Sequence, residues 1–257
     1  TSVLVRGCNL FLIWIKALFP PMISISHLTR CYGPLTAVDD FSVEIGRGEI
    51  VGLLGHNGAG KTTVMKILTG FLEASAGSVS VAGIDVATDR ASVQRQIGYL
   101  PENARLYPEM LVQEYLAMIA GLRGVPEGSV NDAVVKAALA VGVEEHLVRL
   151  IGELSKGYRQ RVGIAQAIVH RPKLLLLDEP ISGLDPVQIV EMRELIRSLR
   201  GEHTTILSSH ILSEISETCD RLLVIQDGEL IASGSEQQLT GQLAAALAVQ
   251  ITMRLPE

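Results

Sequence analysis

Apolar and polar positions alternate over the first part of the chain, and this period of two predicts half-buried β-strands. The alternation spans residues 23–28 and 41–45, on either side of turn-forming residues at 32–34, and returns at 79–81 before an Ala-Gly turn at 82–83. Hairpins with one buried face are typical of an antiparallel sheet. The sequence therefore predicts a small antiparallel β-subdomain.

Four other segments are continuously apolar, as strands buried on both faces of a parallel sheet are. They are residues 50–54, 174–177, 204–207 and 222–225. A parallel sheet needs helical crossovers, so these runs predict an α/β core.

Residues 103–171 carry no strong strand pattern, whereas 112–120 and 130–141 have helical periodicity. We expect Ser129 and Asp132 to form a capping pair at the start of the second helix. Residues 98–101 are expected to belong to the loop that leads out of the core. The pattern predicts a helical subdomain, at about 103–171, inserted into the α/β core.

Composition favours one large globular domain. The 257 residues are 47% hydrophobic and 19% charged, which is enough apolar material for a sizeable core. The net charge of −6 gives no overall basic field, so no nucleic-acid partner is expected. The three cysteines lack the spacing of a disulfide framework or a thiolate metal site, which favours a reduced cytosolic protein.

The two ends of the chain differ from the rest. Residues 1–21 are apolar but interrupted by Lys16, and they are too short for a spanning helix, which needs about 20 apolar residues. We expect them to be an extension outside the main domain, which would cover 22–235. The remaining residues, 236–257, read as a short helix followed by a strand at 249–253 that stops early, as in a truncated extension.

A phosphate-binding motif follows the first apolar run. It consists of Gly55, His56, Asn57, Gly58, Ala59, Gly60, Lys61, Thr62 and Thr63. This P-loop pattern predicts a triphosphate site, because glycines let the backbone N–H groups converge on phosphate oxygens. The helix that opens at Thr62 points its positive end at the same anion, Lys61 adds a charge, and the Thr62 hydroxyl is placed to bind Mg²⁺.

Two adjacent carboxylates follow the second apolar run. Asp178 and Glu179 lie where a buried strand emerges at the carboxyl edge of the sheet, the edge that also carries the P-loop. We expect Asp178 to extend the metal shell of Mg²⁺ and Glu179 to polarise the attacking water. A strand capped by solvated acids is the alternative, and the P-loop in the same chain disfavours it.

Residues 153–161, Glu-Leu-Ser-Lys-Gly-Tyr-Arg-Gln-Arg, precede that strand by one helix, and with the other motifs they resemble the signature region of ATP-binding cassette (ABC) ATPases. The resemblance extends over residues 23–234. It implies an adenine-stacking role for Tyr32, a D-loop at 182–185 and a switch histidine at His210. It also implies the P-loop NTPase fold, with a RecA-like parallel-sheet core, an antiparallel β-subdomain and an inserted α-helical subdomain.

In this family two ATPase domains dock head to tail around ATP and Mg²⁺, as a homodimer or a heterodimer. The resemblance implies that four signature residues act on the nucleotide of the other subunit: Ser155, Lys156, Gly157 and Tyr158. His210 would contact the γ-phosphate in its own subunit, and Asp185 would bind the P-loop region across the dimer. Such donors meet the charge that develops during hydrolysis.

Two departures from the usual family pattern matter. Glu102 stands where glutamine is most common, and its carboxylate is expected to ligand Mg²⁺ while adding negative charge near the phosphates. Lys156 and Tyr158 replace the first glycine and the glutamine of the signature. Together with Leu-Pro-Glu-Asn at 100–103, these residues resemble the branch that serves ABC-2-type exporters, including gliding, multidrug and sodium-efflux systems.

The sequence thus favours an ATPase subunit that powers export through a separate membrane permease, peripheral on the cytoplasmic face of the membrane. We expect the permease to dock near residues 106–108. The alternative is a non-transport ABC ATPase acting on ribosomes or DNA, which is disfavoured because no second cassette, long coiled coil or zinc insertion is present between Lys61 and Ser155. A GTPase is disfavoured because the chain lacks an Asn-Lys-x-Asp motif.

Overall fold

Two sheets organise the part of the chain that the structure, a computed structural model, describes, namely residues 20–246. In chain order the strands are β1 (Ile23–Tyr32), β2 (Leu35–Ile45), β3 (Ile50–Leu54), β4 (Ala76–Val81), β5 (Ile84–Asp85), β6 (Ile97–Leu100), β7 (Leu174–Leu177), β8 (Thr204–Ser209), β9 (Arg221–Gln226) and β10 (Glu229–Gly234). The helices are α1 (Lys61–Leu68), α2 (Arg90–Arg95), α3 (Val112–Leu122), α4 (Val130–Val141), α5 (Lys156–Ile168), α6 (Pro186–Ser198), α7 (Leu212–Ile215) and α8 (Glu236–Ala246).

The first sheet has the order β2-β1-β4-β5, and each neighbouring pair is antiparallel. It confirms the hairpins that the alternating pattern predicts. The second sheet has the order β10-β9-β3-β8-β7-β6 and is parallel except for β10, which pairs antiparallel with β9. The predicted α/β core with an antiparallel subdomain is therefore confirmed.

The parallel sheet is the middle layer of the core. Successive side chains of β7 point to opposite faces, and all four of its leucines are buried. Leu174 and Leu176 pack with α1 and the antiparallel sheet, while Leu175 and Leu177 pack with the helices of the 103–171 region. Burial on both faces explains why this strand reads as an unbroken apolar run.

One strand contradicts the sequence interpretation. Residues 97–100, of which 98–100 were expected to be a loop, form β6 and pair in parallel with β7. Gly98 is required here because a β-carbon would collide with the backbone carbonyl of Ala167 in α5. A four-residue strand with a glycine gives a weak pattern, and its existence depends on the helix that packs across it.

The helices predicted at 112–120 and 130–141 are present as α3 and α4. The predicted cap of α4 is wrong, since the Ser129 side chain makes no capping hydrogen bond. The helix is entered from a 3₁₀ turn, Glu127–Ser129, which leaves Ser129 at φ −111° and ψ −2° instead of in the extended conformation that a capping residue needs. The backbone conformation at the start of α4 therefore prevents the capping that the Ser129 side chain predicts.

The predictions for the chain ends lie almost wholly outside the described residues. This applies to the extension at 1–21, except for Pro20 and Pro21, and to the strand at 249–253. The helix predicted from residue 237 is present as α8. Within residues 20–246, no helix is both long enough and apolar enough to cross a membrane.

Candidate active site

Four predicted site segments meet at one edge of the parallel sheet, because the carboxyl ends of parallel strands lie together. The strand β3 leads into the P-loop, β6 leads to Glu102, β7 leads to Asp178 and Glu179, and β8 leads to His210. In the sheet β8 separates β3 from β7, so the acids approach the P-loop from two strands away.

At two positions the P-loop backbone leaves no room for a β-carbon, so only glycine fits there. Gly60 has φ +108°, and a β-carbon there would lie 2.5 Å from the carbonyl oxygen of Ala37. Gly55 has a similar constraint, because a β-carbon would collide with the carbonyl oxygen of Ile225. Gly60 is also the N-cap of α1 and offers no side-chain acceptor to the first helical turn. The first N–H groups of α1 therefore fit an anionic ligand.

Other P-loop residues differ in their surroundings. Ala59 is fully buried, and Thr62 and Thr63 are half-buried in the first turn of α1. His56 is exposed, with its Nδ1 2.8 Å from the Asn57 carbonyl oxygen. Their proposed contacts with a nucleotide remain predictions.

Lys61 is almost completely buried, with 6% of its surface exposed. Its Nζ donates to the carbonyl oxygens of Gly55 at 2.6 Å and His56 at 3.2 Å, and lies 3.5 Å from Glu179 Oε1. The ammonium is therefore held at the centre of the loop, where it is paired with the acid that the sequence predicts as the base.

Asp178 and Glu179 point in different directions although they are adjacent. Glu179 has φ +52°, which is rare for a residue with a β-carbon. Ser208 holds both, since its hydroxyl donates to Asp178 Oδ1 at 2.7 Å and accepts from the Glu179 N–H at 2.9 Å. The backbone turn separates the two carboxylates, so that each can serve a different function.

His210 completes the cluster around Glu179. Its Nδ1 lies 3.0 Å from Glu179 Oε2, and the imidazole is 37% exposed. Glu179 is only 7% exposed and thus lies between an ammonium and an imidazole. Such an arrangement holds the carboxylate in one orientation and keeps it near a solvent-accessible edge.

Two of the three residues predicted to bind Mg²⁺ have features that fit a cation. Asp178 is 1% exposed, at the edge of the sheet that carries the P-loop. Thr62 offers its hydroxyl from the first turn of α1. No cluster of three His, Cys, Asp or Glu side chains suited to a metal occurs in residues 20–246. The fit is that of Mg²⁺ held by one or two protein oxygens, phosphate oxygens and water.

Glu102 is exposed just beyond β6. Between it and Asp178 lies Tyr99, a residue that the sequence interpretation missed. Burial comes first in raising the pKa of Tyr99 above its usual value, followed by the negative charge of Asp178, a hydrogen bond to the Asp178 carboxylate and the charge of Glu102. Only its position in β6 could have indicated Tyr99, and the sequence pattern predicted a loop for that segment.

The signature residues lie at the start of α5. Ser155 is its N-cap and accepts a hydrogen bond from the Tyr158 N–H at 3.3 Å. The Lys156 ammonium lies against Gly183 of the D-loop, in the place that a β-carbon would occupy. Tyr158 stacks on His146, with ring centroids 4.1 Å apart. These contacts tie the signature loop to the D-loop and to the helical subdomain.

Asp185 lies in the same region as the signature residues. Its carboxylate caps α6 by accepting from the Gln188 N–H at 2.9 Å. Together with Ser155, Gly157 and Tyr158 it borders a cavity of about 440 Å³ whose lining contains no P-loop residue. Within one chain, therefore, the structure does not bring the signature and the P-loop together.

Tyr32 is placed at the tip of the β1–β2 hairpin and is 44% exposed. The guanidinium of Arg30 lies over its ring, 4.8 Å from the centroid. An exposed ring that already binds a flat cation is suited to stacking with a base.

Comparison with known proteins identifies the family. The ABC transporter family pattern matches residues 38–182. The bacitracin transport ATP-binding protein BcrA of Bacillus licheniformis is 38% identical over 212 residues, which is 82% of this chain and 68% of that protein. The ABC transporter ATP-binding protein NatA of Bacillus subtilis is 38% identical over 205 residues, covering 79% of this chain and 83% of its own.

A solved structure shows the same fold. The cbiO1 protein from Clostridium perfringens, described as part of the ABC transporter complex cbiONQ, superimposes with a TM-score of 0.80. The two sequences are 25% identical, and the alignment covers 88% of this chain and 92% of cbiO1.

Proposed function

We propose that this chain, which belongs to the ABC transporter family and binds and hydrolyses ATP, drives export through a separate membrane permease. ABC transporter ATP-binding subunits work with membrane components, and this chain carries the ATPase part. The proposal places it on the cytoplasmic face of the membrane, as a peripheral subunit that closes as a dimer around Mg²⁺-ATP.

The P-loop binds the phosphates of ATP. Backbone N–H groups of residues 55–63 and the start of α1 surround the phosphate oxygens, and Lys61 moves its ammonium onto the β- and γ-phosphates. Tyr32 stacks on the adenine. Thr62 and Asp178, with Glu102 as the third predicted ligand, would hold Mg²⁺, which would neutralise part of the phosphate charge. The burial of the Asp178 carboxylate, 1% exposed at the edge of the sheet that carries the P-loop, supports this assignment.

Glu179 acts as the general base. One carboxylate oxygen accepts a proton from the attacking water, the water oxygen bonds to the γ-phosphorus, and the bond between that phosphorus and the β–γ bridging oxygen breaks. His210 orients Glu179 and contacts the γ-phosphate. The observation that carries the proposal is the position of the Glu179 carboxylate between Lys61 Nζ at 3.5 Å and His210 Nδ1 at 3.0 Å.

A second ATPase subunit completes the site. Because the signature cavity contains no P-loop residue of its own chain, Ser155, Gly157 and Asp185 serve the nucleotide of a facing subunit. The Lys156 ammonium and Tyr158 hold this loop against the D-loop and His146. Donors supplied across the dimer meet the charge of the γ-phosphate only in the closed state.

The permease docks in a groove of about 740 Å³ on the other side of β6 from the helical subdomain core. Its lining includes the 78% exposed Phe71, together with Tyr99, Asn103, Arg105 and Arg123. The segment expected to dock, residues 106–108, does not line this groove. Leu106 and Pro108 border a separate cavity of about 450 Å³ with Glu102 and Lys156, and Tyr107 packs edge-on against Tyr115. Tyr99 borders the groove and neighbours Asp178, which connects permease docking to the site of hydrolysis.

The signature favours export over import, because the Leu-Ser-Lys-Gly-Tyr sequence resembles the ABC-2-type exporter branch. BcrA is named as a bacitracin transport protein, which supports a role in transport. The transported molecule is recognised by the permease.

The test of the active site is Glu179→Gln. Since glutamine keeps the shape but cannot take a proton, ATP affinity should be preserved while hydrolysis slows by a factor of about 10² or more. Steady-state phosphate release and a nucleotide-binding titration measure the two effects. Glu202→Gln is the matched control, because Glu202 is exposed in the turn before β8, at the opposite edge of the sheet. Turnover near that of the control would remove Glu179 from its assigned role.

A further inference from the structure

A cleft of about 360 Å³ lies where the helical subdomain meets the core. It is bordered by the segment after α3, the first half of α4 and the segment after α5. Its polar lining residues are Arg123, Ser129, Asp132, Lys136, His170 and Arg171. No residue assigned above to ATP or the signature lines this His170 cleft.

The His170 cleft is positively charged in a chain whose net charge is −6. Arg123, Lys136 and Arg171 contribute three positive charges, and Asp132 contributes one negative charge. Within residues 20–246, no ion pair joins any of these cations to a carboxylate. Arg123 donates only to the backbone carbonyl of Gln94, at 3.3 Å. Uncompensated cations around a concave surface attract an anion.

His170 supplies an unused polar atom. Its Nε2 lies 3.1 Å from the carbonyl oxygen of Ile97, and because a carbonyl only accepts, Nε2 carries the hydrogen. The Nδ1 atom is buried and has no hydrogen-bond partner among the described residues. Burial and the charge of Arg123 lower the pKa of His170 to about 4, so the ring is neutral at pH 7 and Nδ1 has a free lone pair. The neutral ring adds no charge at pH 7, so the charge of the cleft is that of its three cations and Asp132.

Arg171 occupies a backbone conformation that disfavours it. It follows α5 at φ +53°, and its N–H bonds to the Ile168 carbonyl at 2.8 Å. Glycine or asparagine is the usual residue in this left-handed position after a helix. An arginine here has a conformational cost and brings a long cationic side chain to the cleft.

The size and the apolar part of the lining restrict the ligand. Val125, Pro126, Ala133 and Val169 also line the cleft. Small-molecule pockets have volumes of roughly 300–1,000 Å³, so this one is at the small end. A ligand that fits has a compact anionic group, whose charge of about −2 matches three cations and one carboxylate, and a short apolar part.

We propose that the His170 cleft binds a phosphate monoester as its dianion, with Arg123, Lys136 and Arg171 neutralising its oxygens. The same headgroup occurs on soluble esters and on phosphatidate in a membrane. The site is separate from the ATPase proposal, since no residue is shared with the P-loop, the acids or the signature.

The experiment follows the imidazole resonances of His170 by NMR in the full chain, with ADP saturating the P-loop. Glycerol 3-phosphate should cause a saturable shift of these resonances, which His170→Asn identifies by their loss. Lys136→Ala and Arg171→Gly should each weaken binding about tenfold or more, since each removes a charge-assisted contact. Glycine suits the conformation of residue 171, so that variant keeps the fold.

Lys173→Ala is the matched control, because Lys173 is exposed two residues beyond Arg171 and does not line the cleft. Co-sedimentation with phosphatidate vesicles, against phosphatidylcholine vesicles, distinguishes the lipid source from the soluble one. Lys136-dependent binding in either arm supports the proposal. Failure of both ligands to bind, or an equal loss of binding in Lys173→Ala, overturns it. ATP turnover is not part of the readout, and the two variants that carry the test, Lys136→Ala and Arg171→Gly, lie outside both the ATP site and the permease groove, so the outcome is independent of the proposed transport function.

Discussion

At the residue scale, the backbone of Glu179 decides what two neighbouring acids can do. In a regular strand, adjacent side chains point to opposite faces, and one of the two would enter the core. The positive φ of Glu179 instead turns its carboxylate towards Lys61 and His210, while Ser208 holds Asp178. Strain of this kind is found where the surrounding structure enforces it, commonly at active sites.

Lys61→Ala should weaken nucleotide binding itself, in contrast to Glu179→Gln. The substitution removes the charge that meets the phosphates and leaves Glu179 buried without its ammonium partner. A titration with a fluorescent ATP analogue measures the affinity. Lys66→Ala, five residues along the same helix, is the control and should bind ATP as the wild type does. Equal affinities for Lys61→Ala and the control would contradict the assigned contact.

The His170 ring makes stability depend on pH. Burial and the charge of Arg123 lower its pKa to about 4 despite the hydrogen bond to Ile97, with His203 adding to the effect, whereas an unfolded histidine has its pKa near 6.5. Below about pH 6.5 the unfolded chain therefore binds a proton that the folded chain does not. Stability from the neutral ring is present above pH 6.5 and is lost as pH falls towards 4.

His170→Asn tests this dependence. Because solvent screens the half-buried ring, its share of the loss should be about 1 kcal/mol between pH 6.5 and pH 4. Arg171, Lys136 and Asp132 also line the cleft and remain unchanged in the variant. Urea unfolding at several pH values gives the free energy of unfolding for both proteins. Parallel pH profiles for wild type and variant would show that the ring does not contribute.

At the element scale, α5 and α6 begin at the residues that the family uses across the dimer. Ser155 caps α5 and Asp185 caps α6, so each has a structural function within its own chain. A loss of activity on substituting either residue therefore has two possible causes, the helix or the dimer. Asparagine caps a helix without carrying a charge, so a substitution to asparagine can keep the cap while removing the charge that would act across the dimer.

Two substitutions of Asp185, to asparagine and to alanine, distinguish the capping function from the dimer contact. Asparagine caps a helix nearly as well as aspartate, whereas alanine costs about 1 kcal/mol. If Asp185 acts across the dimer, Asp185→Asn should keep the melting temperature of the wild type but reduce ATPase activity, and Asp185→Ala should lower both. Thermal unfolding and steady-state turnover provide the measurements. Full activity in the asparagine variant would leave only the capping function.

At the scale of the whole molecule, the catalytic groups are divided between two surfaces. The P-loop, Glu179 and His210 meet at the sheet edge, and the signature residues line a different cavity. Under the proposed function, a second subunit supplies the signature residues to the γ-phosphate. Hydrolysis that depends on a second subunit would let ATP drive a cycle of association and separation.

Nucleotide-driven dimerisation is the corresponding prediction. The Glu179→Gln variant, which retains ATP, should change from monomer to dimer on addition of Mg²⁺-ATP, or should associate with a homologous ATPase subunit or with its permease complex. Sedimentation velocity measures the mass with ATP, with ADP and without nucleotide. Addition of Ser155→Asp should weaken the dimer, since aspartate still caps α5 but puts a negative charge where the hydroxyl would donate across the seam. A variant that stays monomeric alone and with its membrane component would contradict the proposed cycle.

The sequence alone determined the elements with strong local patterns. Alternation gave the hairpins β1–β2 and β4–β5, continuous apolar runs gave β3, β7, β8 and β9, and the P-loop pattern located the turn into α1. The positions of Asp178 and Glu179 after β7 were also predictable. These features depend on residues close together in the chain, where periodicity and backbone preferences act.

Only the tertiary structure decided the rest. The strand β6 exists because Gly98 lets α5 pack across it, and the entry from a 3₁₀ turn replaces the predicted cap at Ser129. The pairing of Glu179 with Lys61 and His210 follows from the strand order β3-β8-β7, and the His170 cleft combines side chains from three segments distant in the chain. Strand order and packing are set by contacts between distant residues, which local sequence patterns do not record.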